Sequence, residues 1–271
     1  MKIRNSTAVV TGGSGGIGLA VAGALAERGA TKVGVVDLSS VCQDTVRQLS
    51  ETYPQCAVRG FEGDVTEESF RKHVFSDLES DGSPVNICVP AAGIVRDGLA
   101  VRVDRDTGDA LLYPQGDFEK ILEVNLVHPT YWAMETIASV ARDRANRGLD
   151  RWTSGESTQG AIVLIGSVSS RGNRGQVGYA AAKSALVGVS ATLNIEGLFY
   201  GVQTKIIHPG FVDTAMVETI DPEYFENNLK PLIGLGRKIR PAEISDIVCA
   251  MIENPALSGQ VWADASMTPL A

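Results

Sequence analysis

Short apolar runs alternate along this chain with longer stretches in which apolar residues return at helical spacing. TAVVT at 7–11 is such a run, and Ile17, Val21, Ala24 and Leu25 then share one helical face until Gly29 stops the pattern. The same alternation predicts strands at 7–11, 32–36, 57–61, 85–89, 161–165, 204–208 and 260–263. It predicts helices at 17–28, 40–52, 66–79, 117–143, 178–199 and 241–253. Strands that alternate with helices make a doubly wound α/β fold, a parallel sheet of about seven strands with helices on both faces. Right-handed crossovers bring the carboxyl ends of those strands to one edge. Gly12, Asp37, Asp64, Gly93, Ser167 and Pro209 all follow strands, so they converge on the edge where open α/β sheets bind ligands.

Three stretches break this rhythm. Arg102–Gly116 carries Asp-Thr-Gly-Asp at its middle and reads as a small hairpin or an irregular loop. Arg142–Gln159 is polar and rich in arginine; it reads as an exposed helix end and loop, solvated rather than gripping a phosphate-bearing substrate. The connection at 214–240 is long and holds Met216, Val217, Tyr224, Phe225, Leu229 and Leu232. It reads as a lid over an apolar substrate, and equally as packing or an oligomer contact.

Composition narrows the picture. Residues 1–271 carry no Pro/Ser/Gly-rich divider and read as a single domain, with 44% hydrophobic residues to fill a sheet buried on both faces. A net charge of −8 argues against a nucleic-acid partner. No apolar run approaches a membrane span, and the first strand begins too early to leave room for a cleaved leader. Cys42, Cys56, Cys88 and Cys249 are scattered, which suits reduced thiols in the cytoplasm. His73, His128 and His208 are too dispersed for a metal site; His208 precedes Pro209 and could line a pocket, although a structural role is favoured.

Two constellations carry chemistry. Gly12-Gly13-Ser14-Gly15-Gly16-Ile17-Gly18 lies between a strand and a helix, where glycines let the backbone approach a pyrophosphate and the helix start faces the anion. Asp37 ends the second strand about twenty residues further on, the place of a carboxylate that accepts the ribose hydroxyls and repels a 2′-phosphate. No Arg or Lys follows it before Arg47, so NAD is expected over NADP. Tyr179 and Lys183 share a helical face, and an ammonium beside a phenol favours its ionised form. That makes Tyr179 a candidate acid/base on an alcohol oxygen, with Ser167 facing it from a strand end. An ordinary buried Tyr with a surface Lys is the alternative; the nucleotide cradle weighs against it.

Together these residues resemble the short-chain dehydrogenase/reductase family over nearly the whole chain. Thr11, Gly12, Gly16 and Gly18 match its cofactor motif, Asp64-Val65 its adenine-holding pair, and Pro90-Ala91-Ala92-Gly93 its NNAG segment. Asn125, Ser167, Tyr179 and Lys183 match its catalytic positions, Pro209-Gly210 the segment after the sixth strand, and Thr214 the contact to the nicotinamide carboxamide. With Ser14, Gly15, Ile17, Asp37, Leu38, Ala91, Ala92, Gly93 and Val212 they complete the cofactor set that the resemblance implies on a Rossmann-type sheet. The resemblance implies an NAD(H)-dependent oxidoreductase for secondary alcohols and ketones, acting without a metal. Tyr179 would move the proton; Lys183 would lower its pKa and hold the nicotinamide ribose. Ser167 would bind the substrate oxygen and Asn125 would support a relay water. Two departures stand out: both Asn of NNAG are replaced, which removes an expected brace at Ala91, and GQVWADASMTPLA lacks the Gly-Gly that usually follows the last strand.

AAGIVRDGLAVRV is similar to the matching segment of 3-oxoacyl carrier-protein reductases, whereas the loops at Val101–Gln115 and Arg142–Gln159 resemble those of NAD-using short-chain 3-hydroxyacyl-CoA dehydrogenases. Thioester oxidation or reduction is thus one alternative and a non-catalytic nucleotide-binding regulator another. The family commonly pairs through helices equivalent to 117–143 and 178–199, so a homodimer or homotetramer is expected.

Overall fold

Side chains alternate across each central strand, and this period of two divides the core into two layers. The computed structural model describes residues 1–38 and 41–267. Its elements are β1 (Thr7–Thr11), α1 (Gly16–Glu27), β2 (Lys32–Asp37), α2 (Val41–Thr52), β3 (Ala57–Glu62), α3 (Glu68–Leu78) and β4 (Ile87–Pro90). A hairpin of β5 (Val101–Val103) and β6 (Ala110–Leu112) follows, then α4 (Gln115–Leu122) and α5 (His128–Asn146). The rest are β7 (Gly160–Ile165), α6 (Val177–Gly197), β8 (Val202–Pro209), α7 (Ala215–Glu218), α8 (Pro222–Tyr224), α9 (Pro241–Glu253) and β9 (Gln260–Ala263).

The main sheet has the order β3-β2-β1-β4-β7-β8-β9, and every pairing is parallel. Ala8, Val10, Val33, Val35, Ala161 and Val163 pack with Val21, Leu25, Ile244 and Val248 of α1 and α9. Val9, Val36, Ile162 and Leu164 pack on the other side with Phe75, Trp132 and Leu186 of α3, α5 and α6. This is the expected Rossmann-type architecture. The chain runs outward from β1 to β3, then returns to place β4 on the other side of β1. That reversal opens a crevice at the carboxyl ends of β1 and β4.

The seven expected strands all occur, with ends shifted by a residue or two. The hairpin reading of 102–116 holds in an antiparallel β5–β6 pair. The predicted start of the second helix at Ser40, and the last four residues of GQVWADASMTPLA, lie outside the described residues. The helix expected at 117–143 is interrupted. Glu123–Val127 forms a π-helical turn between α4 and α5, closed by His128 N–H donating to Glu123 O. Pro129 has no N–H to return to the Asn125 carbonyl, so an uninterrupted α-helical ladder cannot pass this point. A one-residue insertion of this kind leaves no mark on hydrophobic periodicity.

The arginine-rich loop is anchored rather than merely solvated. Arg144 is 2% exposed; it donates to Asp150 O at 2.6 Å and pairs with Glu156 at 2.6 Å. Arg142 pairs with Glu79 and Glu135. The loop feeds the first residue of β7, so it sits at the sheet edge opposite the crevice.

Candidate active site

The crevice is a cleft of about 830 Å³. At its floor, Gly12 has φ +64°, and a Cβ there would stand 2.8 Å from Ala92 Cα. A Cβ at Gly18 would lie 2.1 Å from Gly12 O, so only glycine lets α1 start this close to the turn. α1 begins at Gly16 behind a Gly15 N-cap with no side-chain cap hydrogen bond, and both glycines line the cleft. An added Cβ at Gly15 meets nothing within 4 Å. This open, uncapped glycine cradle fits the pyrophosphate of a dinucleotide.

Asp37 takes Ser14 N–H at 3.0 Å on one carboxylate oxygen and Leu38 N–H at 2.8 Å on the other, tying the end of β2 to the glycine turn. Arg47, the next basic residue, is engaged by Asp44 at 2.6 Å. Asp64 lines the cleft; the Thr66 N–H and hydroxyl hold its carboxyl below the usual carboxylate range. The Val65 carbonyl accepts Trp132 Nε1–H at 2.9 Å, which fixes this pair to α5.

The brace that Ala91 lacks is supplied elsewhere. Thr11 Oγ1 accepts Ala92 N–H at 3.2 Å and lies 3.0 Å from His128 Nε2. His128 Nδ1 lies 2.7 Å from the Val124 carbonyl, so Nδ1 carries the hydrogen and Nε2 accepts the Thr11 hydroxyl. Burial pushes this imidazole down to about 4, which keeps it neutral. The link joins β1, the segment after β4 and the π-helical turn.

Ser167, Tyr179 and Lys183 all line the cleft. Ser167 ends the loop after β7, and its Oγ accepts Ser169 N–H at 3.1 Å. Below it, His208 Nε2 lies 3.1 Å from Gln260 Oε1, and Nδ1 lies 3.1 Å from the Ser167 carbonyl oxygen and 3.3 Å from the Ser167 nitrogen. Lys183 is 6% exposed; its Nζ donates to Ile165 O at 2.8 Å, and burial pushes the amine down to about 8. The ammonium stands 5.6 Å from the Tyr179 ring centre. Desolvation pushes the phenol up to about 12; the Ser167 hydroxyl pulls the other way, and the charge of Asp97 adds to the rise. Enclosure of the phenol is the largest of these effects.

Ser14 and Asn125 are absent from the cleft lining. Asn125 is fully buried, and its amide grips Ile94 twice: Oδ1 accepts the N–H at 2.9 Å and Nδ2 donates to the carbonyl at 2.7 Å. Its side chain fixes the loop after β4 and does not face the reacting groups. The other expected cofactor residues, Gly12, Gly15, Gly16, Ile17, Gly18, Asp37, Leu38, Asp64, Val65, Ala91, Ala92, Gly93, Pro209, Gly210, Val212 and Thr214, all line the cleft.

Met216, Val217, Thr219 and Ile220 line the outer cleft, whereas Phe225, Leu229 and Ile233 form a small cluster of their own against Phe211 and Met267. Thus the first half of 214–240 borders the cleft and the second half packs. Sequence reasoning missed Asp97, Arg171, Gln176 and Trp262 in the lining. The apolar GQVW run marked Trp262 as a strand residue but gave no sign of which strand it would join.

A parallel sheet with a glycine cradle and a Tyr/Lys helix at its switch point defines a dinucleotide-dependent oxidoreductase. The family described as short chain dehydrogenase matches residues 6–224, and the chain belongs to that family, whose members bind nicotinamide cofactors. It is 31% identical over 253 residues to a 3-oxoacyl-(acyl-carrier-protein) reductase of Mus musculus, covering 93% of each chain. It is 29% identical over 256 residues to the reductase of that name from Vibrio cholerae, covering 94% of this chain and 92% of that one. A (3R)-3-hydroxyacyl-CoA dehydrogenase of Homo sapiens is 28% identical over 255 residues, covering 91% and 88%.

Proposed function

We propose that the protein is an NAD(H)-dependent oxidoreductase that interconverts a secondary alcohol and a ketone. The observation that carries this reading is the meeting of Ser167, Tyr179 and Lys183 in one cleft with the glycine cradle. The nicotinamide cofactor, when bound, gives or takes the hydride. Ser167 hydrogen-bonds the substrate oxygen and sets its direction. Tyr179, protonated at neutral pH, donates to the carbonyl oxygen as it gains charge, and takes the proton back in the reverse direction. Lys183 orients the nicotinamide ribose and carries positive charge near the phenol. Asn125 supports a proton-relay water through its main-chain carbonyl, to which Pro129 cannot donate. Asp37 at the end of β2 favours NAD over NADP by repelling a 2′-phosphate.

A second reading, 3-oxoacyl or 3-hydroxyacyl thioesters as substrates, is supported by the named activities of the relatives. A regulator without chemistry has no use for the Ser/Tyr/Lys group. A cytoplasmic setting suits the four cysteines, all buried and free. No helix among the described residues is long and apolar enough to cross a membrane. Following NADH and NADPH absorbance across a panel of ketones, alcohols and acetoacetyl thioesters tests the proposal. NADH-linked turnover of a ketone is expected; tight NADH binding with no turnover of any panel member would contradict it.

A further inference from the structure

Four cations line the cleft: Arg96, Lys120, Arg171 and Lys183. Arg96 lies 3.9 Å from Asp117, Lys120 is 2.8 Å from Glu123, and Lys183 donates to Ile165 O. The Arg171 side chain has no acidic partner within 4.0 Å and no hydrogen bond among the described residues. It is nevertheless positioned. Its Cζ sits 3.7 Å from the centre of the Trp262 ring. Trp262 in turn is stacked on His208 at 4.2 Å with 13° between the rings, and the two face each other in the β8–β9 register. The fully buried His208 is pinned by Gln260 and Ser167, so the stack ties the guanidinium to the same scaffold that holds Ser167.

A guanidinium resting its face on an indole keeps its edge N–H groups free for an oxyanion. Arg171 ends the 3₁₀ turn Val168–Arg171 that starts just after Ser167. At about 2 Å of rise per residue, that turn keeps the cation within a substrate's length of the Ser167 hydroxyl. Asp97 and Asp264 also line the cleft, but Asp97 accepts Gln176 Nε2–H at 3.0 Å, Asp264 accepts Ser266 N–H at 2.9 Å, and neither lies within 4.0 Å of the guanidinium.

We propose that Arg171, seated on Trp262, anchors an anionic group carried by the substrate, so that the site selects charged alcohols and ketones over neutral ones. This rests on the oxidoreductase reading above. The oxyanion is either the carboxylate of a short oxo acid or the phosphate of a thioester carrier; both present the same recognition chemistry.

The test measures binding by calorimetry to the NADH-loaded protein, and turnover in parallel, for native, Arg171→Ala and Arg171→Lys forms. The probes are acetoacetate with its methyl ester, and acetoacetyl-CoA with the neutral N-acetylcysteamine thioester. The native protein should bind one anionic probe at least about tenfold more tightly than its neutral counterpart, as a charge-assisted pair supports. Arg171→Ala should abolish that preference by raising Kd and KM for the anion, with kcat, the neutral probe and the NADH Kd within about twofold of native. Arg171→Lys should restore part of it. A loss confined to acetoacetate identifies the carboxylate as the anchored group; a loss confined to acetoacetyl-CoA identifies the phosphate. Equal loss for charged and neutral probes, weakened NADH binding, or no native preference for an anion would overturn the proposal. An Arg171-dependent anion preference in binding, with no turnover of any probe, would uphold the anchor and sink the oxidoreductase reading instead.

Discussion

Enclosure shifts the protonation of Tyr179 and Lys183, the two groups on which the proposed reaction depends. Tyr179 is pushed up to about 12 and Lys183 down to about 8, each mainly because its charged form loses water. Ketone reduction uses the protonated phenol, which is available throughout the neutral range. Alcohol oxidation uses the phenolate, which becomes available only as pH rises. With saturating cofactor, kcat/KM for oxidation should climb from about pH 7 and level off above about pH 8 as Lys183 loses its charge, while that for reduction stays flat across neutrality. Oxidation that falls as pH rises would contradict this assignment. His128 gives a stability counterpart. Its folded pKa, about 4, lies below the ordinary 6.5, so between those values the unfolded chain binds a proton that the folded chain refuses. Its contribution is complete above 6.5 and is lost as pH falls toward 4, roughly 3 kcal/mol across the window. Denaturant unfolding of His128→Gln should show a shallower loss of stability over that window than native protein; an unchanged slope would place the pH dependence elsewhere.

At the scale of elements, the glycine turn and α1 were legible because a βα turn that approaches a pyrophosphate needs residues without Cβ, and this need is written locally. The break at Glu123–Val127 was not, since one extra residue in a helix leaves the apolar spacing nearly intact. Asn125 was identified as a site residue, but its side chain turned out to be spent on Ile94, a partner supplied by a distant loop. Arg144 read as one of several surface cations; only the fold of the loop back on itself, which brings Asp150 O and Glu156 to the guanidinium, buries it. Gly15 separates cofactor binding from folding. Its φ of −158° is extended backbone open to any residue, and a Cβ there meets no protein atom. Gly15→Ala should therefore leave Tm unchanged and weaken NADH binding by at least about tenfold, measured by fluorescence titration. Unchanged affinity would mean that the pyrophosphate lies elsewhere.

For the molecule as a whole, the parallel run of the strands was readable from alternation plus handedness, and with it the edge where the cleft lies. What alternation could not supply was the neighbour of each strand. Arg171, His208 and Trp262 come from separate elements, and only the β8–β9 pairing brings them together. The outer surface carries exposed apolar residues on the two helices expected to pair copies: Val127, Tyr131 and Met134 on or beside α5, and Val177, Ile195 and Phe199 on or beside α6. A homodimer or homotetramer through these faces predicts that Tyr131→Asp combined with Ile195→Asp lowers the mass found by light scattering to that of one chain. A mass unchanged from native would remove these faces from the interface.

The central claim is that the Tyr179 hydroxyl is the group that exchanges a proton with the substrate oxygen beside a bound nicotinamide. Single-turnover kinetics of Tyr179→Phe with saturating NADH and a ketone that the native protein reduces test it most directly. Removing one oxygen should slow hydride transfer by about a hundredfold or more while NADH binding stays at its native level. Hydride transfer at close to the native rate would contradict the account.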